Sequence, residues 1–386
     1  MTAYQINEEL TAKLSQQVPT LMQKENVPGL ALALIRDAEI FWEYVSGVES
    51  VASGVPVTAN TLFEAASLSK PVFAYAALKL CEDGLLDLDT PLADYLSEPY
   101  IPDESRLQLL TMRHVLSHTT GFPNWRPAGK ALKMYFTPGE RFSYSGEGYM
   151  YLQAVISQIT AQDPAELMAT TLLQPLEMNG SRFVLPERAD LPLAIGHNEN
   201  GEVQKKYPWP EMCAAASLHC SVLDFGKFMC AVMHPSSDNQ AYLSPELTRA
   251  MLTPQVQVND SPPWGPDWPK PEIRLNEHVS WGLGWGLQQT STGDAIWHWG
   301  DNGNYRAFAM GYPAAGTGVV VLTNGKNGQC VINHILRAII GGEYPGLDWL
   351  YGQVLRPNPA STVTCCAAED GAQNASFGYN QSSIRS

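Results

Sequence analysis

Basic charge is scarce in this sequence. Its 386 residues carry 24 Lys and Arg against 39 Asp and Glu, a formal net charge of −15, and such a field repels a phosphate backbone rather than steering it in. Nucleic acid is thereby excluded as a partner. Cysteine is also sparse: seven residues, an odd number, with no Cys-x-x-Cys and no tight secreted-scaffold spacing, a usage that fits a reducing compartment. No apolar run reaches the ~18 residues of a membrane helix, and the first ten residues have neither the basic start nor the apolar centre of a signal peptide. These absences point to a soluble, cytoplasmic protein without a membrane partner.

Several catalytic signatures are missing as well. No Gly-x-Ser-x-Gly elbow offers a nucleophile to an α/β-hydrolase. The glycines of Gly282-Leu283-Gly284-Trp285-Gly286 lack the spacing and following helix of a dinucleotide loop. His114 and His118 stand four apart, but no Glu follows the first and no third ligand is suggested, so neither a metal nor another cofactor is expected.

What is present is a chain long enough for two or three domains, or one large domain with an insertion, at about 150 residues per domain. Its 45% hydrophobic content suffices for a sizeable core. Residues 5–25 have amphipathic helical spacing ended by Pro28-Gly29. Leu30–Ile35 and Ile40–Val45 read as a hairpin about the turn Arg36-Asp37-Ala38-Glu39. Helical segments follow at 68–82, 111–118, 147–161 and 163–173, then at 221–233 and 244–252. Strand-like runs return at Trp281–Gln288, Ala295–Trp299, Ala307–Tyr312 and Gly318–Thr323, and Cys330–Ile340 reads as a last helix. The economical assembly is an α+β fold: one antiparallel sheet flanked by the N- and C-terminal helices, with an inserted, mainly helical lobe and a cleft between them. The expected division is 1–60 plus 206–356 for the sheet domain, 61–205 for the lobe and 357–386 for a flexible tail.

Ser67 is the only serine followed three residues later by lysine. Positions i and i+3 share a helical face, so Lys70 can set its amine beside the Ser67 hydroxyl. A serine is a poor nucleophile until a base takes its proton, and a lysine whose charge is disfavoured by burial is such a base. Two later segments add to this: Tyr144-Ser145-Gly146 just before a helix, and His298-Trp299-Gly300-Asp301-Asn302 at a strand end.

The order Ser-x-x-Lys, Tyr-Ser-x, His-x-Gly resembles the serine β-lactamase and penicillin-binding-protein superfamily, and most of all its class C-type branch, which also holds esterases, D-amino-acid-specific peptidases and acyltransferases. His118-Thr119-Thr120-Gly121, Ala215-Ala216-Ser217-Leu218 and Trp281-Gly282-Leu283-Gly284-Trp285 agree with it, over about residues 5 to 345. The resemblance implies the β-lactamase/transpeptidase-like fold and makes Ser67 the nucleophile of an acyl-enzyme. Lys70 and Tyr144 would share its proton, with either as the base. The backbone N–H groups of Ser67 and Asp301 would form the oxyanion hole. His298 would stand beside the Tyr144 oxygen where better-known relatives have lysine, and Trp299, Gly300 and Asn302 would line the substrate.

Gly146 departs from the resemblance, standing where many members carry the Asn of Tyr-x-Asn. Without that amide, a lactam or peptide loses a polar anchor worth about 1–3 kcal/mol; Glu147, Asn302 or Asn304 is a candidate substitute. The expected activity is therefore a carboxylesterase acting on small to medium acyl esters. A D-amino-acid-specific peptidase or weak β-lactamase, an acyltransferase or thioesterase, and a non-catalytic ligand-binding descendant are the alternatives. The Pro-rich stretch 262–269 places Trp264 and Trp268 either as an aromatic wall over the cleft or as plugs of the lobe's own surface. The partner is a small acyl substrate; nothing in the sequence sets the oligomeric state.

Overall fold

The computed structural model describes residues 6–187, 190–236, 241–259 and 274–351. Helix α1 (Glu8–Lys24) is capped by Asn7, whose side chain accepts from the Leu10 N–H at 3.0 Å, and it buries Leu14, Val18 and Met22. Strands β1 (Gly29–Arg36) and β2 (Glu39–Gly47) form the expected hairpin. Asp37 and Ala38 at its turn have φ of 55° and 57°, the left-handed pair that matches the strands' twist.

The short β3 (Phe63–Glu64) precedes a single 3-10 turn, Ala66–Leu68, and helix α2 (Ser69–Glu82). Helices α3 (Met112–Leu116), α4 (Gly146–Thr160) and α5 (Pro164–Met168) follow. The chain returns through β4 (His219–Cys220), which pairs with β3, and helices α6 (Val222–Met233) and α7 (Pro245–Met251). Strands β5 (Val256–Asn259), β6 (Leu275–Trp281), β7 (Gly286–Thr290), β8 (Gly293–Asp301), β9 (Arg306–Tyr312) and β10 (Thr317–Thr323) complete the sheet, and α8 (Gly328–His334) and α9 (Pro345–Tyr351) follow it. No helix among the described residues is long and apolar enough to cross a membrane.

The main sheet is antiparallel, in the order β2-β1-β10-β9-β8-β7-β6-β5. Both faces are covered, which is why β1 reads as an unbroken apolar run. Leu30, Leu32 and Leu34 point to one face, where they share a core with Leu14, Val18, Val331, Ile332 and Leu336 of the terminal helices. Ala31, Ala33 and Ile35 point to the other, joining residues of α2, α4 and α6. The antiparallel sheet with terminal helices on one face and inserted helices on the other is the expected α+β architecture.

Strand β8 obeys the same alternation. Trp297 and Trp299 enter the terminal-helix core, and truncating either to Ala would cost about 3–5 kcal/mol. His298 and Gly300 therefore face the inserted helices, from a strand whose position is firmly fixed. Strand β7 pairs with β8 only as far as Trp297. Beyond it, the edge of β8 lies against the turn that carries Ser67.

Two expectations are corrected, and one strand was not foreseen. Residues Trp281–Gln288 are not one strand: Gly282 N donates to Trp285 O at 2.9 Å and Gly284 has φ +94°, so a tight turn separates β6 from β7. A Cβ on Gly284 would lie 2.6 Å from Ala74 Cβ, so α2 sits directly on that turn. The helix expected at Cys330–Ile340 is α-helical only to His334 and widens into a π-helix over Ile335–Ile340, and α9 follows. Strand β5, only four residues long, gave no alternating pattern.

Candidate active site

Ser67 sits in the 3-10 turn before α2 rather than within the helix. The residue before it, Ala66, is buried and left-handed with φ +51°, a conformation that costs a non-glycine residue about 1–3 kcal/mol and persists only where its surroundings impose it. Here the Ala65 N–H donates to Leu218 O at 2.8 Å. Ser69 is the pin: its hydroxyl donates to Ala66 O at 2.6 Å and accepts from the Leu218 N–H at 2.9 Å. Among its neighbours Ala66, Leu68, Ser69 and Lys70, all buried, Ser67 alone is partly exposed.

Lys70 is fully buried, and its Nζ stands 3.1 Å from Ser67 Oγ and donates to Ala215 O at 2.9 Å. Both partners are uncharged oxygens. Nζ also lies 4.7 Å from the Tyr144 ring centroid and 5.8 Å from that of Tyr149. Burial, opposed by Cys213, pulls the amine down to about 7, within reach of a base near neutral pH.

Tyr144 is buried with Ser67 as its hydrogen-bonding neighbour, and burial pushes the phenol well above its ordinary range. It is held from both sides by His118, whose carbonyl accepts from the Ser143 N–H at 2.8 Å and whose Nδ1 accepts from the Ser145 N–H at 3.0 Å. The two rings pack with centroids 4.3 Å apart. His298 lies 6.1 Å from Tyr144 by centroids. Its Nδ1 is 2.7 Å from Trp299 O, so Nδ1 carries the proton and Nε2 is a buried lone pair without a hydrogen-bond partner among the described residues. Burial, reinforced by Lys70, lowers His298 to about 3, so the ring is neutral at physiological pH.

The end of β8 closes the other side. A Cβ on Gly300 would stand 2.3 Å from Ala65 O; only glycine lets the strand come this near the nucleophile turn. Asp301 follows, its carboxylate bound to Arg306 and to the Gly303 N–H, so its backbone is the part left to the site. Asn302 spends its amide nitrogen on Glu64 and, at 3.2 Å, on Ala216 O. Glu64 is itself buried, and desolvation raises its carboxyl despite Lys206, Asn302 and Trp209.

Ser67, Lys70, Tyr144, His298, Gly300 and Asp301 are thus brought together. Trp299 is placed differently: it is 2% exposed, with its ring 4.8 Å from Tyr144, and it backs the tyrosine from the core. Glu147 is bound to Arg126 through Nε at 2.9 Å and Nη2 at 2.6 Å. The space beside Gly146 is filled by the Trp125 ring. Trp264 and Trp268 lie outside the described residues. His114 caps α3, its Nδ1 accepting from the Thr111 N–H at 3.1 Å, and among the described residues no group of three His, Cys, Asp or Glu could hold a metal. Sequence reasoning missed Ser69, Glu64, His118 as the tyrosine's clamp, and Trp125. Only the first two carried a signal, by adjacency to Ser67.

A strained serine turn at the head of a buried helix, a buried lysine one turn on, a tyrosine from the helical insert and a His-x-Gly strand end define the serine β-lactamase and penicillin-binding-protein class. The chain belongs to the Beta-lactamase family, whose model matches residues 14–339. Among proteins it is similar to are esterase EstB of Burkholderia gladioli, 28% identical over 54% of this chain and 61% of the relative. Penicillin-binding protein 4* of Bacillus subtilis is 30% identical over 44% of this chain and 42% of the relative. The chain thus spans about three fifths of the first relative and two fifths of the second. In structure it resembles the octameric penicillin-binding protein homologue from Pyrococcus abyssi, with TM-score 0.71 at 24% identity, over 88% of this chain and 80% of that one.

Proposed function

We propose that the protein is a serine hydrolase of carboxylesterase type, acting on small to medium acyl esters through a covalent Ser67 acyl-enzyme. The observation that carries this reading is the Lys70 amine, 3.1 Å from Ser67 Oγ and held at about 7 by burial. A buried amine with a lowered pKa, set against a partly exposed serine hydroxyl, is the arrangement that suits a lysine to proton transfer. Of the two candidate bases, the lysine is favoured, because the Tyr144 phenol is pushed away from ionisation.

In the proposed cycle, Ser67 Oγ attacks the ester carbonyl carbon as its proton passes to Lys70 Nζ. The N–H groups of Ser67 and Asp301 receive the oxyanion. Collapse breaks the bond from the carbonyl carbon to the alkoxy oxygen, and the leaving alkoxide takes the proton from Lys70 by way of the Tyr144 hydroxyl. Water then gives a proton to the same base, attacks the acyl-enzyme, and releases the carboxylic acid with Ser67 restored.

The relatives' names divide between ester and penicillin chemistry, and Gly146 favours the ester here. It offers no amide to a lactam or peptide, and of the candidate substitutes Glu147, Asn302 and Asn304 the first two are engaged with Arg126 and Glu64. A neutral His298 also supplies no fixed cation for a substrate carboxylate. The test is turnover of a p-nitrophenyl ester with a pre-steady-state burst, lost in Ser67→Ala. Equal turnover in that variant, or preference for a D-aminoacyl amide or a chromogenic cephalosporin over the ester, overturns it.

A further inference from the structure

The side chain missing at residue 146 has been replaced in space. Ser145 is extended, with φ −138° and ψ 117°, so residues 144 and 146 project to the same side of the chain. Tyr144 projects toward Ser67, and a side chain at 146 would follow it. A Cβ built on Gly146 would lie 2.7 Å from both Cη2 and Cζ2 of Trp125. The benzo edge of that indole occupies the volume on the nucleophile's side of the loop.

The indole is held there by its neighbours. Asn124 accepts from the Gly146 N–H with both its carbonyl, at 3.0 Å, and its Oδ1, at 3.1 Å, and its carbonyl also accepts from the Glu147 N–H at 3.1 Å. On the other side the Arg126 N–H donates to Glu147 Oε1 at 2.9 Å, in addition to the two guanidinium contacts. Residues 124 and 126 are thus both fastened to the first turn of α4, and Trp125 between them is packed on the lobe's core while remaining partly exposed.

We propose that Trp125 is a specificity-determining residue, its indole forming the acyl-side wall in place of a polar anchor, so that the site selects esters of flat, aromatic carboxylic acids over acids bearing an acylamino group. An aromatic wall offers no acceptor to an amide N–H, which would be left unsatisfied on binding. It offers an aromatic acyl group the ring-to-ring contact that a small aliphatic group cannot make. The inference rests on the reading of Ser67 as the nucleophile and is tested separately from it.

The experiment compares kcat/KM for p-nitrophenyl benzoate and p-nitrophenyl acetate in wild type, Trp125→Phe, Trp125→Leu and Trp125→Ala. Ser67 labelling by a fluorophosphonate is followed in each by intact mass. The benzoate-to-acetate ratio is expected to fall about tenfold in Trp125→Leu and Trp125→Ala, a strength typical of a lost aromatic contact, and to be largely kept by Trp125→Phe. Gly146→Asn alone sets the new side chain against the indole and is expected to lower the melting temperature. Trp125→Ala/Gly146→Asn is expected to recover it and to gain hydrolysis of an acylamino ester. An unchanged ratio in Trp125→Leu with Ser67 still labelled overturns the inference and leaves the reading of the nucleophile standing. Absence of label on wild-type Ser67 overturns that reading, and the inference with it.

Discussion

Glu64, which is buried, and the half-buried Asn302, 238 positions apart in the chain, are hydrogen-bonded to each other behind the nucleophile turn. Glu64 is three residues before Ser67, and Asn302 directly follows Asp301. One side-chain contact therefore ties together the two segments whose N–H groups the proposed oxyanion hole uses. The same Asn302 nitrogen reaches Ala216 O, next to the carbonyl that holds Lys70.

Asn302→Leu is expected to weaken both the fold and the chemistry. It leaves the buried Glu64 carboxyl short of a donor, at a cost of about 1–3 kcal/mol in urea unfolding. Because the contact sets the distance between donors rather than touching substrate, kcat should fall by more than KM rises. Equal stability and unchanged kcat would show that the contact fixes nothing.

Lys70 gives a pH dependence with a definite sign. Burial holds its amine at about 7, so the base is protonated below that value and free above it. The rate of acylation should rise with pH to a plateau above about 7. Lys70→Arg, which keeps its charge throughout, should lose activity at every pH. Stability carries a second signature: the folded amine releases its proton near 7 and the unfolded one near 10.5. Between those values the unfolded chain binds more protons, so stability should rise with pH, a slope absent from Lys70→Met.

His298 supplies the control for that assignment. It is neutral across the working range, because burial and the nearby Lys70 lower it to about 3. The limb near pH 7 should therefore survive in His298→Gln, which keeps a polar side chain, even if the plateau drops. Disappearance of the limb in that variant would move the titrating group from residue 70 to residue 298.

How much of this was legible in the sequence depended on distance along the chain. Ser67 and Lys70 are three residues apart, and their pairing follows from helical spacing even though the serine sits in a 3-10 turn rather than the helix. Tyr144 and His298 were legible only through the order of short motifs. Strand β1 was plain because both its faces are buried. The turn between β6 and β7 was not: Trp-Gly-Leu-Gly-Trp reads as one strand until α2 is set against Gly284. The Glu64–Asn302 contact and the indole at Gly146 left no local trace, since each exists only once distant segments have met.

Gly300→Ala is expected to damage the site for a reason confined to backbone geometry. The added Cβ would fall 2.3 Å from Ala65 O, a main-chain atom that cannot rotate aside. Either β8 or the nucleophile turn has to retreat. Trp297 and Trp299 anchor β8 in the core of the terminal helices, so the turn, with Ala66 already strained at φ +51°, is the part that gives. A displacement of about 1 Å between nucleophile and oxyanion donors is enough to cost about 100-fold in rate. Ester turnover in Gly300→Ala should fall by that order, with slower fluorophosphonate labelling of Ser67 and a lower melting temperature. Wild-type labelling kinetics in a folded Gly300→Ala protein would mean that the close approach of strand and turn is not what positions the serine.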